Sequence, residues 1–165
     1  MPSSIEELSN VKQKFYKFVR PQGIPNIIGL MDGTHVAINS PGGENAELFR
    51  NRKSIFSINV QAVGSYDLTV SDIEARWPGS THDSYIFDMS FIKMRFQRGE
   101  FGNSFLLGDS GYASSSYMLT PLNNPTTPAE IAYQKAHIST RNAVERLSRN
   151  SLFYNTYFNL IDVKA

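Results

Sequence analysis

Asp32, Asp109 and Glu145 are the residues whose type and order suggest chemistry. Asp32 stands in Ile28-Gly-Leu-Met-Asp-Gly-Thr-His35, Asp109 in Leu106-Leu-Gly-Asp-Ser-Gly-Tyr112 and Glu145 in Arg141-Asn-Ala-Val-Glu-Arg146. The two aspartates each close an apolar run that reads as a buried strand, and the glutamate falls inside a predicted helix with a short second spacing. Cleaving a phosphodiester needs oxygen ligands that hold two divalent ions roughly 4 Å apart, one activating water and one stabilising the leaving oxygen. Carboxylates gathered from separate elements meet that demand. All-oxygen ligation suits Mg²⁺ or Mn²⁺, not zinc.

Each residue also has a plainer reading. Asp32-Gly33 is a common turn dipeptide. Its apolar flanks, Ile27 to Met31 and Val36 to Ile38, argue instead for a buried strand, where a carboxylate is costly unless paired or bound to metal. Asp109 follows Phe105-Leu-Leu107 and is read the same way. Glu145 has Arg141 one turn before it, so a solvated ion pair is its default, and it gains weight from the other two acids. Asp83, in Gly79-Ser-Thr-His-Asp-Ser84, reads equally as a helix-start acid or as a further metal ligand. His35 and His82 each lie close to an acid and are candidates for positioning water or touching phosphate. His137 and Arg141, four apart, share one helix face. Arg50, Arg52 and Lys53, with Arg141, Arg146 and Arg149, are the candidate contacts for backbone phosphates, against a background of scattered surface charge.

Two look-alikes fail on their own terms. Gly108-Asp-Ser-Gly111 echoes a serine-protease nucleophile segment, but Tyr112 follows it, there is no cysteine framework, and the second half is helical. Met31-Asp-Gly-Thr34 echoes a phosphatase motif whose nucleophile would fall on Leu30, which cannot attack phosphorus.

The elements that must position these residues follow from periodicity and punctuation. Residues 4–20 read as an amphipathic helix with a Ser4–Glu7 capping-box spacing, ended by Pro21 and Pro25. Ile27 to Ile38 is a strand, with Gly33 marking a bend or a close approach. Glu44 to Arg50 forms one or two helical turns. Ile55 to Val63 and Leu68 to Trp77 form a hairpin about Gly64-Ser-Tyr-Asp67, and Pro78-Gly79 stops the second strand. Ser80 is expected to cap one helix running to about Gln97. Ser104 to Asp109 is a strand and Tyr117 to Leu122 a further one. Thr127-Pro-Ala-Glu130 starts a helix that runs to about Leu147. The order, β-β-β-α-β-β-α behind a leading helix, implies an α/β mixed sheet with helices on its faces.

Composition narrows the field. The chain of 165 residues is long enough for one core, and its 41% hydrophobic and 19% charged content are those of a globular protein. A net charge of +1 supplies no global field for a polyanion, so nucleic-acid affinity must come from local patches or a partner. The absence of cysteine excludes thiol nucleophiles and cysteine zinc sites and fits a reducing compartment. No apolar stretch approaches the ~20 residues of a membrane span, and the N-terminus lacks the apolar stretch of a signal peptide.

Taken in order, these blocks resemble the DDE nuclease domain of PIF/Harbinger-type transposases and the Harbinger-derived nucleases of animals. The resemblance covers about residues 22–146. It rests on Gly29-Leu-Met-Asp-Gly-Thr-His-Val-Ala-Ile38, Asn51-Arg-Lys53, Ser57-Ile-Asn-Val-Gln-Ala62, Trp77-Pro-Gly-Ser-Thr-His-Asp-Ser84, Leu107-Gly-Asp-Ser-Gly-Tyr112, Leu119-Thr-Pro121 and Asn142-Ala-Val-Glu-Arg146. It implies an RNase H-like fold with Asp32, Asp109 and Glu145 as catalytic acids, Asp83 joining them as metal ligands, and Mg²⁺ or Mn²⁺ as the cofactor. It also implies a nuclear hydrolase acting on DNA, often alongside a Myb-like DNA-binding partner. On this reading residues 1–21 are the remnant of an upstream helical region, 22–150 the endonuclease domain and 151–165 an atypical tail. That tail replaces an expected basic continuation, so the last helix is expected to end early. The competing expectation is an inactive, truncated or domesticated domain that binds DNA or protein without cutting.

Overall fold

The structure, a computed structural model, describes residues 1–18, 23–67 and 69–150, with side chains up to residue 142. The side chains of Glu145, Arg146 and Arg149, and the whole of 151–165, lie outside the described residues.

Helix α1 spans Ile5–Phe18. Ser4 Oγ accepts the Glu7 N–H at 3.1 Å, and the Glu7 carboxylate reaches back to the Ser3 N–H at 2.8 Å. The capping spacing is thus realised, one residue further back on the return bond. Strands β1 (Ile27–Ala37), β2 (Ser57–Gly64) and β3 (Val70–Pro78) form an antiparallel succession. A single 3₁₀ turn, Ala46–Phe49, precedes β2.

The predicted helix over 80–97 is two helices, α2 (Asp83–Asp88) and α3 (Phe91–Gln97). Ser90 divides them. Its hydroxyl donates to the Phe87 carbonyl and accepts the Lys93 N–H at 3.2 Å, ending one helix and capping the next. The first helix is capped at His82 rather than Ser80.

Strands β4 (Phe105–Leu107) and β5 (Met118–Leu119) complete a five-stranded mixed sheet in the order β3-β2-β1-β4-β5. β5 is only the start of the strand expected over 117–122. β1 pairs with β4 in parallel, as does β4 with β5. The side chains of these strands serve two cores, with a register irregularity between Ile27 and Gly29 interrupting the alternation on β1. Leu107, Ile27 and Leu30 pack with Phe15 of α1, while Leu106, Ile28 and Met31 pack with Phe87, Ile92 and Phe96 from α2 and α3.

Helix α4 spans Pro128–Asn150, past the expected end near Leu147. Its start is the capping box read from sequence. Thr127 Oγ1 accepts the Glu130 N–H at 3.2 Å, and the Glu130 carboxylate accepts the N–H groups of Thr126 and Thr127. Those bonds hold the Glu130 carboxyl down at about 2. Three side chains then fasten α4 to the segment carrying β5. Tyr133 donates to the Thr120 carbonyl at 2.8 Å, Gln134 accepts the Leu122 N–H at 2.8 Å, and the buried His137 ring meets the Leu119 carbonyl at 3.3 Å.

Candidate active site

Register places the first two acids. Leu30 of β1 pairs with Leu107 of β4, and the two leucines share one core. Asp32 lies two residues past Leu30 and Asp109 two residues past Leu107, so each acid follows the last paired position of its strand. They stand where β4 has ended and β1 continues unaccompanied on that side. For the same reason Asp32 is not the buried carboxylate expected from its flanks. β1 is buried from Ile27 to Met31 and opens to solvent at Asp32, whose side chain is 67% exposed. The desolvation argument for Asp32 therefore fails, though its position at the strand's emergence stands.

Asp109 is half-buried, and its Oδ1 accepts the Gly111 N–H at 2.8 Å. Asp83, the first residue of α2, reaches the same loop. A Cβ built on Gly111 would lie 2.9 Å from Asp109 Oδ1 and 3.5 Å from Asp83 Oδ2, so both oxygens cluster about one point. Ser84 Oγ donates to the Gly111 carbonyl and fixes α2 against this loop.

Gly33 provides the close approach expected of it. A Cβ there would meet Asp83 Oδ1 at 2.8 Å. Successive residues of a strand face opposite ways, so Asp83 comes up to β1 on the face that Asp32 does not use. Among the described residues, which leave out the Glu145 side chain, no group of three or more histidine or acidic side chains forms a metal-holding cluster. Asp109 stands beside Asp83 at the Gly111 loop.

Two further residues emerge that had no role in the sequence reading. Asn59 and Gln61, each 2% exposed, lie on the face of β2 opposite His35 and Gly33. Asn59 Nδ2 donates to Asp83 Oδ1 at 2.8 Å and to the Thr81 carbonyl at 3.0 Å. Gln61 Nε2 donates to the Asp83 carbonyl and to the Tyr112 hydroxyl, both at 3.0 Å. The signal was in Ser57, Asn59 and Gln61, polar residues at every second position of an otherwise apolar strand, which puts all three on one buried face. Burial raises the Tyr112 hydroxyl pKa well above its ordinary range, with Asp83, Asp109 and Asp32 adding to the push, while the Gln61 hydrogen bond opposes it. The phenol stays protonated beside three carboxylates.

The basic candidates separate. Arg141, on α4, lies 3.6 Å from Asp32 Oδ1 and donates to the Met31 carbonyl at 3.5 Å. His137, one turn earlier, faces inward as a brace; burial lowers its pKa, against the raising effect of the Leu119 and Gly108 backbone. His82 Nδ1 meets Arg52 at 3.1 Å at the start of α2, and His35 Nδ1 meets Ser57 Oγ at 3.1 Å. Lys53 is exposed on the turn that Asn51 holds together. Arg50 is a brace: it pairs with Glu47 at 2.7 Å and lies 4.2 Å over the Phe56 ring.

The family of sequences described as DDE superfamily endonuclease matches residues 31–151, which contain Asp32, Asp83, Asp109 and Glu145. The chain belongs to the DDE superfamily endonucleases. Within them its relatives are Harbinger-derived. It is 34% identical over 148 residues to the Homo sapiens protein named "Putative nuclease HARBI1", covering 90% of this chain and 41% of that protein. The Mus musculus protein of the same name is 36% identical over 139 residues, covering 84% of this chain and 39% of the relative. "Protein ALP1-like" of Arabidopsis thaliana is 28% identical over 159 residues, covering 87% and 38%. This DDE chain thus spans about two fifths of the length of the curated relatives it matches. No solved structure matches it significantly.

Proposed function

We propose that this chain is the cutting domain of a Harbinger-derived DNA endonuclease with an RNase H-like fold. The position of both aspartates, two residues past the paired Leu30 and Leu107 of adjacent parallel strands, supports the reading. The donor set supports a hard divalent cation, since every acidic candidate offers carboxylate oxygens and no thiolate competes. Asp32, Asp109 and Glu145, with Asp83 beside Asp109, are the residues that would hold Mg²⁺ or Mn²⁺. When bound, such ions supply the acidity that makes water a nucleophile and the charge that steadies a leaving 3′-oxygen.

The chain's own groups do the rest. Gly111 N–H fixes Asp109 in one orientation, and α2 brings Asp83 to the same loop. Arg52 and His82, linked to each other at the start of α2, offer donors for a DNA phosphate; His35, Lys53, Arg141 and Arg146, the last with its side chain outside the described residues, are further candidate contacts. The substrate is DNA, the setting nuclear, and a Myb-like protein supplies the site recognition that a net charge of +1 does not.

Nicking of supercoiled plasmid in Mg²⁺ or Mn²⁺ tests the reading. Asp32→Asn and Asp109→Asn should each remove cleavage while leaving the thermal melt close to that of the parent. Cleavage that persists in either variant rejects the assignment. A second reading, a domain that binds DNA without cutting it, draws on the Arg141 guanidinium beside Asp32, which neutralises that carboxylate without a metal. Plasmid retention with no nicking in either metal would favour it.

A further inference from the structure

We infer that Asn59 and Gln61 are positioning residues that present Asp83 to the metal site as a ligand through a single oxygen, Oδ2. The inference rests on the proposed metal-dependent reading and deepens it.

The amide of Asn59 has one orientation consistent with its neighbours. Two acceptors, Asp83 Oδ1 and the Thr81 carbonyl, face its nitrogen, so the nitrogen must lie on that side. Asp83 Oδ1 is thereby tied to the sheet. The whole carboxylate is also confined from below, since a Cβ on Gly33 would lie 2.8 Å from Oδ1 and 3.2 Å from Oδ2. The other oxygen, Oδ2, is directed to the Gly111 loop, near Asp109 Oδ1.

Gln61 fixes the backbone of the same residue. Its nitrogen bridges the Asp83 carbonyl and the Tyr112 hydroxyl, joining the first turn of α2 to the loop after β4. Tyr112 is 5% exposed, so this bridge is shielded from water. Both amides are almost wholly buried, and a buried polar group without a function in packing is costly to keep unless its bonds are made. Here the two amide nitrogens bond Asp83, Thr81 and Tyr112, while Asn59 Oδ1 is buried with no hydrogen-bond partner among the described residues. This is the arrangement by which outer hydrogen bonds orient a ligating carboxylate.

The test is Mn²⁺ binding followed by electron paramagnetic resonance on the 165-residue chain, with thermal melts to confirm folding. Asn59→Leu and Gln61→Leu should each weaken Mn²⁺ binding about 10-fold or more. The deciding measurement is a double-mutant cycle. If Asn59 acts through Asp83, adding Asn59→Leu to Asp83→Asn should weaken binding no further. Additive losses would mean that Asn59 is merely structural and would overturn the proposal, as would parental affinity in both amide variants. Should Asn59→Leu not fold, Asn59→Ser removes the same donor with less bulk in the slot. Loss of binding on Asp109→Asn but not on Asp83→Asn would sink this proposal and leave the broader reading intact. No binding by the parent chain sinks both.

Discussion

At the scale of single residues, Asp83 illustrates how little space the site leaves. Its carboxylate occupies room that exists because position 33 has no side chain. Gly33→Ala would set a methyl 2.8 Å from Oδ1 and force that oxygen away. We expect Mn²⁺ affinity and nicking to fall about 10-fold, a loss typical of disturbing what holds a ligand, with little change in melting temperature. An alanine variant that binds Mn²⁺ like the parent would show that the Gly33 contact places nothing. Much of this was legible beforehand: Gly33 was read as a point of close approach, and Asp109 as a strand-end acid. Asp32 was misread as buried, because periodicity reports a strand's own apolar residues and not the length of its neighbour. β4 stops level with Leu30, and Asp32 is left facing water. Asn59 and Gln61 escaped because a polar residue in a strand is ordinarily assigned to the solvent side. Only the packing of α2 against β2 places them inside.

At the scale of elements, α4 depends on its first turn. Thr127 and Glu130 satisfy N–H groups that the helix cannot bond internally. Thr127→Ala should lower stability by about 1 kcal/mol in a urea melt. The bonded Glu130 carboxyl titrates near 2 when folded, below its ordinary value of 4.5. A lowered folded value means that its support is complete above 4.5 and is lost as pH falls toward about 2. Urea midpoints measured between pH 5 and pH 2 should fall less in Glu130→Gln than in the parent; parallel curves would contradict the assignment. This capping box was plain in the sequence, since its residues lie within one turn. The break at Ser90 was not, because a serine inside a helical pattern signals a cap only if the chain actually turns there.

At the scale of the whole molecule, α4 is held to the sheet chiefly by polar side chains meeting the backbone of residues 119–122. His137 does this while buried and neutral. Its pKa is lowered from 6.5, so the unfolded chain takes up a proton more readily than the folded one. Its contribution is therefore complete above 6.5 and drains away as pH drops through the folded value. Replacement by Ala should speed amide hydrogen exchange in α4 more than in β1 or β2, and should flatten the stability loss just below pH 6.5. Uniform exchange rates across α4 and the sheet would count against this anchoring. The hairpin and the element order were readable from local pattern. The β1–β4 pairing was not, since nothing near either strand in the sequence records its partner.

That pairing also sets a timetable. As the chain leaves the ribosome, β1 can zip against β2, and β2 against β3, soon after they emerge, because those contacts are close along the polymer. Asp32 then waits on a partly built surface. Its counterpart arrives only when β4 is delivered and slots in on the far side of β1. An unfinished polypeptide ending before residue 109 thus holds one aspartate of the proposed pair without the other.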